Sequence, residues 1–227
     1  MKKIVILSLF LANISVFSQV KALTEDGKDV VLLENGTWKF VNESDAALLE
    51  TIETNSAAFE KSKTSTFLLK SKRINVGIYI NPKVWKPSTK AESPFVEYMF
   101  NSADQETLFA GFFLTEKVQI GSLKNLKDIV IANIQKNADY FRLIKSEYRN
   151  VNGLKVLYLR YSANAKGIDF EYAAQYYIDS EGYCGVAGFS PKKNFDKNAA
   201  QIQELLNGLV QVEKGETFSS PPPPMRP

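Results

Sequence analysis

The stretch Ile168–Asp179, IDFEYAAQYYID, decides the fold class of this chain of 227 residues. Successive side chains of a β-strand point to opposite faces of its sheet. One face of this strand carries Ile168, Phe170, Tyr172, Ala174, Tyr176 and Ile178. The other face carries Asp169, Glu171, Gln175 and Tyr177. A long strand with a single apolar face is typical of an antiparallel sheet that is covered on one side.

Further strands are predicted on both sides of this stretch. Residues 140–150 and 154–163 form two strands around Asn152-Gly153, because these two residue types tolerate the positive φ angles of a tight hairpin turn. Downstream, YCGVAGFS (183–190) continues the pattern. Upstream, four segments are rich in aromatic and β-branched residues, as strands are. These are STFLLKS (65–71), INVGIYINP (74–82), FVEYMFNS (95–102) and TLFAGFFLTE (107–116).

In two segments the apolar residues recur with the period of an α-helix. In residues 121–139, Leu123, Leu126, Val130 and Ile134 recur at helical spacing, and Ser122 can cap the first turn. Residues 195–212 predict a closing helix that docks six apolar side chains on the sheet: Phe195, Ala199, Ile202, Leu205, Leu206 and Leu209. The fold class predicted from these patterns is α+β, an antiparallel β-sheet flanked by helices.

A small β meander is predicted ahead of this domain. The stretch EDGKDVVLLENGTWKF (25–40) contains the turn pairs Asp26-Gly27 and Asn35-Gly36, so we expect three short strands at 20–24, 29–34 and 37–41. Three short strands are only marginally stable alone, so the meander should lean on the main domain. Trp38 is expected to be the apolar plug under the second turn, with a platform for stacking a sugar as the alternative.

The remaining segments define the predicted domain organisation. Residues 1–18 resemble a secretory signal peptide, with Lys2 and Lys3, an apolar run and the small residue Ser18. The alternative is a membrane anchor. The apolar run is shorter than the roughly 20 residues that are needed to cross a bilayer. Residues 19–41 form the meander, 42–63 a helical linker, 64–212 the α+β domain and 213–227 a proline-rich tail. The tail is expected to be disordered, or alternatively to be a docking motif.

The Ser18-Gln19 junction resembles signal peptides of the Bacteroidetes type. The only cysteine is Cys184, so a lipid anchor after the apolar run is not expected. These features predict a periplasmic or secreted protein with no stable membrane anchor after signal cleavage.

Two phrases carry a resemblance to a known superfamily. The superfamily is that of the photosystem II subunit PsbP and the Mog-type import factors. INVGIYINPKVW (74–85) is similar to a strand of that group that runs into a proline and a tryptophan. YRNVNGLKVLYLRYS (148–162) is similar to its Asn-Gly hairpin. The resemblance covers residues 64–212. It implies an antiparallel sheet sandwiched with helices and roles in binding and assembly. The meander resembles a DGK-V-L-GTW module of exported bacterial proteins of unknown role.

Several kinds of chemistry are excluded by composition. The chain has no histidine, which removes Ser-His triads and the commonest metal ligand. Its formal charge is +3, of which Lys2 and Lys3 contribute two, so nothing favours nucleic acid. Gly182, Gly185 and Gly188 match no phosphate-binding loop. No catalytic residue, metal site or cofactor is predicted, and Cys184 is expected to be buried.

The candidate ligand-binding residues are Asp169, Glu171, Arg160, Tyr158 and Tyr177. Asp169 and Glu171 share a strand face and could together attract a cation or a basic ligand; alternatively, they form ion pairs on the wetted side of the sheet. Five tyrosines could line a cleft or pack in the core: Tyr158, Tyr161, Tyr172, Tyr176 and Tyr177.

Three functions remain open from the sequence. The first is an exported, non-enzymatic binding or assembly module of the bacterial cell envelope, whose partner is an envelope protein or a small ligand. The second is a carboxylate-dependent hydrolase or a small-ligand-binding protein. The third is a structural envelope protein.

Overall fold

Four long antiparallel strands form the centre of the protein. The structure is a computed structural model, and it describes residues 20–215 except 26, 33–35, 43, 45, 92, 104–108 and 166. The expected signal peptide and nearly all of the proline-rich tail therefore lie outside the described residues. The strands in chain order are β1 (Val20–Leu23), β2 (Asp29–Leu32), β3 (Trp38–Phe40), β4 (Glu53–Phe59), β5 (Phe67–Lys70), β6 (Val76–Ile80), β7 (Trp85–Ser88), β8 (Val96–Ser102), β9 (Ala110–Glu116), β10 (Tyr140–Val151), β11 (Leu154–Ala165), β12 (Ile168–Asp179), β13 (Gly182–Pro191) and β14 (Leu209–Gln211). The helices are α1 (Ala46–Glu50), α2 (Leu123–Asn137) and α3 (Phe195–Leu206).

The main sheet has eight strands in the order β4-β10-β11-β12-β13-β9-β8-β7. Its central hairpin turns at Asn152 and Gly153, whose φ angles of 50° and 85° confirm the predicted tight turn. All neighbouring strands are antiparallel except β4, which runs parallel to β10. The predicted α+β class, with helices beside a largely antiparallel sheet, is confirmed.

Both faces of the main sheet are covered, so the expectation of one covered face is wrong. Helix α3 packs on β12 and β13, while α2 packs on β10, β11 and β12. Two polar residues of the predicted wet face are buried, Glu171 and Gln175. The amide nitrogen of Gln175 donates to the backbone carbonyl of Leu206 in α3, which gives this buried donor a partner inside the core.

A second sheet of three strands, β14-β6-β5, belongs to the core on the α3 side. Its strand β14 corrects the predicted length of the last helix, because α3 ends at Leu206 and the chain turns at Gly208 before Leu209 pairs with Ile78. Leu209 is fully buried nonetheless, so its predicted docking in the core holds. Strand β7 was not predicted either; it contains Pro87 and lies at the edge of the main sheet, where proline is tolerated.

The predicted linker also differs in the structure. Residues 46–50 form the short helix α1, but residues 53–59 form β4, so the prediction of a helix across 42–63 is wrong for this part. The segment ETNSAAF has no alternation of apolar residues that would indicate a strand. Its parallel pairing with β10, together with the hydrogen bond from the Asn55 amide to Glu147, stabilises the extended form.

The meander forms the predicted antiparallel sheet of β1, β2 and β3. It meets the main domain where the backbone N–H of Phe141 donates to the carbonyl of Val41 at 2.9 Å. Trp38 is 52% exposed and contacts Phe40 edge to face at 5.1 Å, so it is not the buried plug that the sequence indicated. Among the described residues, no helix combines the length and the apolar character needed to cross a membrane.

Candidate binding surface

The first pair of predicted site residues, Glu171 and Arg160, lies at the start of α3. The Arg160 Nε atom is 2.5 Å from Glu171 Oε1, and Nη2 is 3.4 Å from Asp196 Oδ1. The guanidinium group also lies 4.8 Å from the ring centre of Phe195. Glu171 is 6% exposed, so its carboxylate is enclosed by the sheet and the helix. This geometry links β11, β12 and α3 and leaves little of the carboxylate accessible to a ligand.

Asp169 contacts a different set of residues. Its carboxylate accepts hydrogen bonds from Lys39 Nζ at 2.5 Å and from Asn164 Nδ2 at 2.7 Å. Burial opposes ionisation of this carboxyl group, but the hydrogen bonds and the charge of Lys39 outweigh it and lower the pKa of Asp169. Because Lys39 belongs to β3, the ion pair fastens the meander to the main sheet.

Tyr158 and Tyr177 lie on the same sheet face but in other surroundings. Tyr158 is buried, with its ring centre 3.3 Å from the Arg149 guanidinium carbon, and its pKa is raised by burial. Tyr177 packs at the margin of the core, where burial and the nearby Asp179 raise its pKa. The five predicted residues therefore share one face of the sheet without converging on a single site.

None of the five predicted residues lines either of two clefts that lie among the described residues. One, of about 330 Å³, is bounded by Phe59, Lys61, Asn150 and Asn152. The other, of about 360 Å³, lies at the end of β9 beside Arg73, Phe95 and Val118. The described residues also contain no cluster of three or more His, Cys, Asp or Glu side chains that could hold a metal ion.

The lone thiol is buried as expected. Cys184 has no exposed surface, and burial raises its pKa to about 12. A neutral, inaccessible thiol is a poor nucleophile. Cys184 therefore behaves as a core residue.

The opposite face of the sheet carries a row of aromatic rings that we name the aromatic ladder: Phe112, Phe170, Tyr172, Phe189 and Tyr161. Tyr161, Tyr172 and Phe189 are directly opposite one another on β11, β12 and β13. The Tyr161 and Tyr172 rings stack at 4.9 Å and 7°, and the Tyr172 and Phe189 rings at 5.1 Å and 28°. Phe112 on β9 extends the row, with its ring centre 6.4 Å from that of Phe189.

Most of the ladder is only partly covered. Helix α2 runs over β10, β11 and β12, and Tyr161 beneath this region is 5% exposed. Phe112, Phe170, Tyr172 and Phe189 are half-buried. Ile168, on the same face of β12, is 52% exposed. The side chains of four adjacent strands thus form a continuous aromatic surface that continues from the core out to solvent.

The sequence revealed part of this surface. Tyr161 and Tyr172 are among the tyrosines that the sequence indicates could line a cleft or pack in the core, and Phe170 is predicted on the apolar face of β12. Phe112 and Phe189 were not singled out as site residues, although their segments were predicted strands. The signal that could have identified them is the alternation of side chains between the two faces of each strand. Once the strand order is known, this alternation places Phe112, Phe189 and Tyr172 on one face of the sheet.

Comparison with solved structures places the main domain in a known fold. The solution structure of cyanobacterial PsbP (CyanoP) from Synechocystis sp. PCC 6803 superposes with a TM-score of 0.51 at 12% identity, covering 66% of this chain and 95% of that one. The main domain therefore has a PsbP-like fold, as the resemblance in the sequence implied.

Two further solved structures are similar at lower scores. A protein of unknown function from Pseudomonas aeruginosa, PA94, a putative regulator, has a TM-score of 0.47 at 12% identity, covering 66% of this chain and 100% of that one. LpqN from Mycobacterium tuberculosis, which is involved in cell envelope biogenesis, has a TM-score of 0.46 at 9% identity, covering 60% and 83%. No family model and no curated protein matches the chain.

Proposed function

We propose that this chain is an exported, non-enzymatic binding or assembly module of the bacterial cell envelope, and that it recognises a partner protein through the aromatic ladder. The observation that carries the proposal is the contrast between the two faces of the main sheet. On one face, the carboxylates of Asp169, Glu171 and Glu147 are engaged in ion pairs within the fold. On the other face, the aromatic side chains of Phe112, Phe170, Tyr172 and Phe189 remain partly exposed on three adjacent strands.

The chemistry of the ladder favours a protein over a sugar as the ligand. A sugar stacks on the open face of an aromatic ring, but the faces of Tyr161, Tyr172 and Phe189 lie against one another. Stacking therefore takes up ring faces of Tyr161, Tyr172 and Phe189 that a sugar would need. Such a surface suits apolar and aromatic side chains of another protein, since ring edges and faces pack together favourably in edge-to-face contacts.

The alternatives from the sequence gain no specific support from the geometry. A carboxylate-dependent hydrolase would require two carboxylates that converge on a cleft, whereas Asp169 and Glu171 have separate partners and border neither described cleft. A purely structural envelope protein leaves the partly exposed aromatic surface without a role. The binding module accounts for both features.

Site-specific photo-crosslinking in the organism's own envelope tests the proposal. p-Benzoylphenylalanine is placed at Phe112 or Phe189, and at Trp38 as the control, because Trp38 is an exposed aromatic residue outside the ladder. Both ladder positions should yield the same covalent adduct with one envelope protein, and Trp38 should not. Absence of an adduct from the ladder, or equal labelling from Trp38, would contradict the proposal.

Export has its own test. The amino terminus of the protein purified from the cell envelope or the medium should begin at or near Gln19. A retained Met1, or recovery only from the cytoplasm, would contradict export without affecting the assignment of the ladder.

A further inference from the structure

The cleft at the end of β9 combines exposed apolar side chains with two cations. It has a volume of about 360 Å³, and its lining residues are Arg73, Pro94, Phe95, Glu116, Lys117 and Val118. Phe95 and Val118 are each 48% exposed. The cleft therefore presents an apolar surface and positive charge side by side.

Hydrogen bonds hold the walls of this cleft in place. The backbone N–H of Thr115 donates to the carbonyl of Phe95 at 3.0 Å. The Arg73 guanidinium donates to the carbonyl oxygens of Pro94 at 2.5 Å and Thr115 at 2.8 Å, so it joins the segment before β8 to β9. The backbone N–H of Arg73 in turn donates to Ser71 Oγ at 3.0 Å. The depression is thus preformed.

The positive charges of the cleft have no anionic partner in the part of the chain that the structure describes. Arg73 donates only to backbone carbonyls, the third being that of Phe95 at 3.4 Å, which leaves two of the five N–H donors of its guanidinium unused there. The ammonium of Lys117 has no hydrogen bond or ion pair with a described residue. Glu116, the acidic member of the lining, accepts a hydrogen bond from the Tyr183 hydroxyl at 2.7 Å. Two cations against one carboxylate leave a net positive charge that attracts an anion.

A carboxyl-terminal apolar residue has the chemistry that this cleft would recognise. Its side chain and its free carboxylate are attached to the same Cα atom, so one residue can reach the apolar and the cationic parts of a small depression together. Arginine N–H groups form strong, charge-assisted hydrogen bonds to carboxylates, and capture of a terminal carboxylate is a recurring mode of peptide recognition. An anionic lipid fits less well, because an acyl chain of about 15 Å exceeds a depression of this volume.

We propose that this cleft binds the carboxyl-terminal residue of a peptide or protein partner that ends in an apolar side chain. The terminal carboxylate binds Arg73 and Lys117, and the apolar side chain packs on Phe95 and Val118. This proposal does not rest on the function of the aromatic ladder, because no residue of the ladder lines the cleft.

Isothermal titration of residues 19–227 with short peptides tests the proposal. The probe is acetyl-Gly-Gly-Phe with a free carboxylate, and its carboxamide is the control ligand, because the carboxamide keeps the ring and loses the charge. The acid should bind with a dissociation constant below about 1 mM, and the carboxamide at least about tenfold more weakly. Acetyl-Gly-Gly-Gly with a free carboxylate should also bind at least about tenfold more weakly than the probe, because it has no apolar side chain. Equal binding of the acid and the carboxamide, or no binding of the acid, would overturn the proposal.

Two lysine variants locate the binding at the cleft. Lys117→Glu reverses a lining charge and should weaken binding of the probe at least about tenfold. Lys197→Glu is the matched control, because it changes the net charge equally. Lys197 is exposed in α3, beyond the end of β13, whereas Glu116 pairs with Tyr183 near the start of that strand. We expect the control to change binding by less than about twofold, since salt screens distant charges. Equal effects of the two variants would overturn the proposal.

The apolar part of the cleft is tested with Val118→Ser. This variant should weaken binding of acetyl-Gly-Gly-Phe about threefold or more and leave binding of acetyl-Gly-Gly-Gly unchanged, because only the first peptide has a ring to pack on residue 118. The thermal unfolding midpoint confirms that each variant is folded. Unchanged binding of acetyl-Gly-Gly-Phe by folded Val118→Ser would contradict the proposed orientation of the ligand and overturn the proposal.

Discussion

Glu147 offers a quantitative test of the conclusion that buried charges serve the fold. Its carboxylate is 3% exposed and contacts Lys145 Nζ at 2.6 Å and Arg149 Nε at 2.7 Å. Arg149 is itself buried between the rings of Tyr158 and Phe59. The substitution Glu147→Gln keeps the size of the side chain but leaves the Arg149 charge without its anionic partner. Breaking one side of a buried ion pair costs about 3 kcal/mol, and we expect a loss of this size in the free energy of unfolding at pH 7.

The pH dependence of this loss follows from the direction of the pKa shift. Burial opposes ionisation of Glu147, but hydrogen bonds from Lys145, Arg149 and Asn55 outweigh it and lower its pKa below the usual 4.5. A carboxyl group with a lowered folded-state pKa stabilises the fold fully above its unfolded-state pKa, and this stabilisation is lost as the pH falls through the folded-state value. The difference between wild type and Glu147→Gln should therefore be constant above about pH 5 and shrink in stronger acid.

Urea unfolding followed by intrinsic fluorescence measures both effects, provided that the slope with denaturant stays unchanged. The matched control is Glu53→Gln, because Glu53 lies opposite Glu147 in the register of β4 and β10 but is exposed. We expect it to change stability by less than about 0.5 kcal/mol. A loss below about 1 kcal/mol for Glu147→Gln, or a loss that does not shrink in acid, would refute the structural role of this carboxylate.

Three further predictions concern the core and the predicted site. Cys184 should not react with a thiol reagent at pH 8 until the protein is unfolded, because it is fully buried with a pKa of about 12; rapid labelling of the native protein would contradict its placement. Gly208→Ala should destabilise the fold by about 2 kcal/mol or more, since an added Cβ would overlap the carbonyl of Tyr79, whereas Gly121→Ala has room and should be close to neutral in the same urea titration. Glu171→Gln should lower the free energy of unfolding by about 1 to 2 kcal/mol through the loss of its ion pair with Arg160, yet leave the photo-crosslink from the ladder unchanged. Loss of the crosslink in a folded variant would show that Glu171 contributes to partner binding.

Local sequence patterns were sufficient for much of the fold. The Asn152-Gly153 turn formed where the residue types required positive φ angles. Ser122 caps α2 by accepting a hydrogen bond from the backbone N–H of Asn125, as its position predicted. In each case the determining interaction lies within a few residues along the chain, so the sequence contains the information directly.

Elements that depend on distant partners were predicted less well. Strand β4 is extended because it pairs with β10, nearly a hundred residues away, and its own sequence carries no strand pattern. Glu171 and Gln175 were expected on a wetted face because polar residues usually are. In the core, Glu171 pairs with Arg160 and the Gln175 amide nitrogen donates to the carbonyl of Leu206, and neither partner can be identified from the strand alone.

The candidate surface shows the same limit. Tyr161 and Tyr172 could be selected from the sequence as cleft or core residues, but the pattern could not distinguish between the two. Which of them remains partly exposed depends on where α2 crosses the sheet, and α2 packs on β10 to β12. Phe112, Phe189 and Tyr172 form one row because β9, β13 and β12 are neighbours in the sheet. Phe112 and Phe189 are about eighty residues apart along the chain, so this neighbourhood cannot be identified from local sequence.

The affinity of the crosslinked partner for purified variants tests the central claim most directly. Phe189→Ser removes a ring from the middle of the ladder, and Ile129→Ser is the control, because Ile129 is an exposed apolar residue of α2 outside the ladder. Isothermal titration should show a dissociation constant raised roughly 30-fold by Phe189→Ser, as expected for a central aromatic contact worth about 2 kcal/mol, with no change for Ile129→Ser. An unchanged dissociation constant for a folded Phe189→Ser variant would contradict recognition through the ladder.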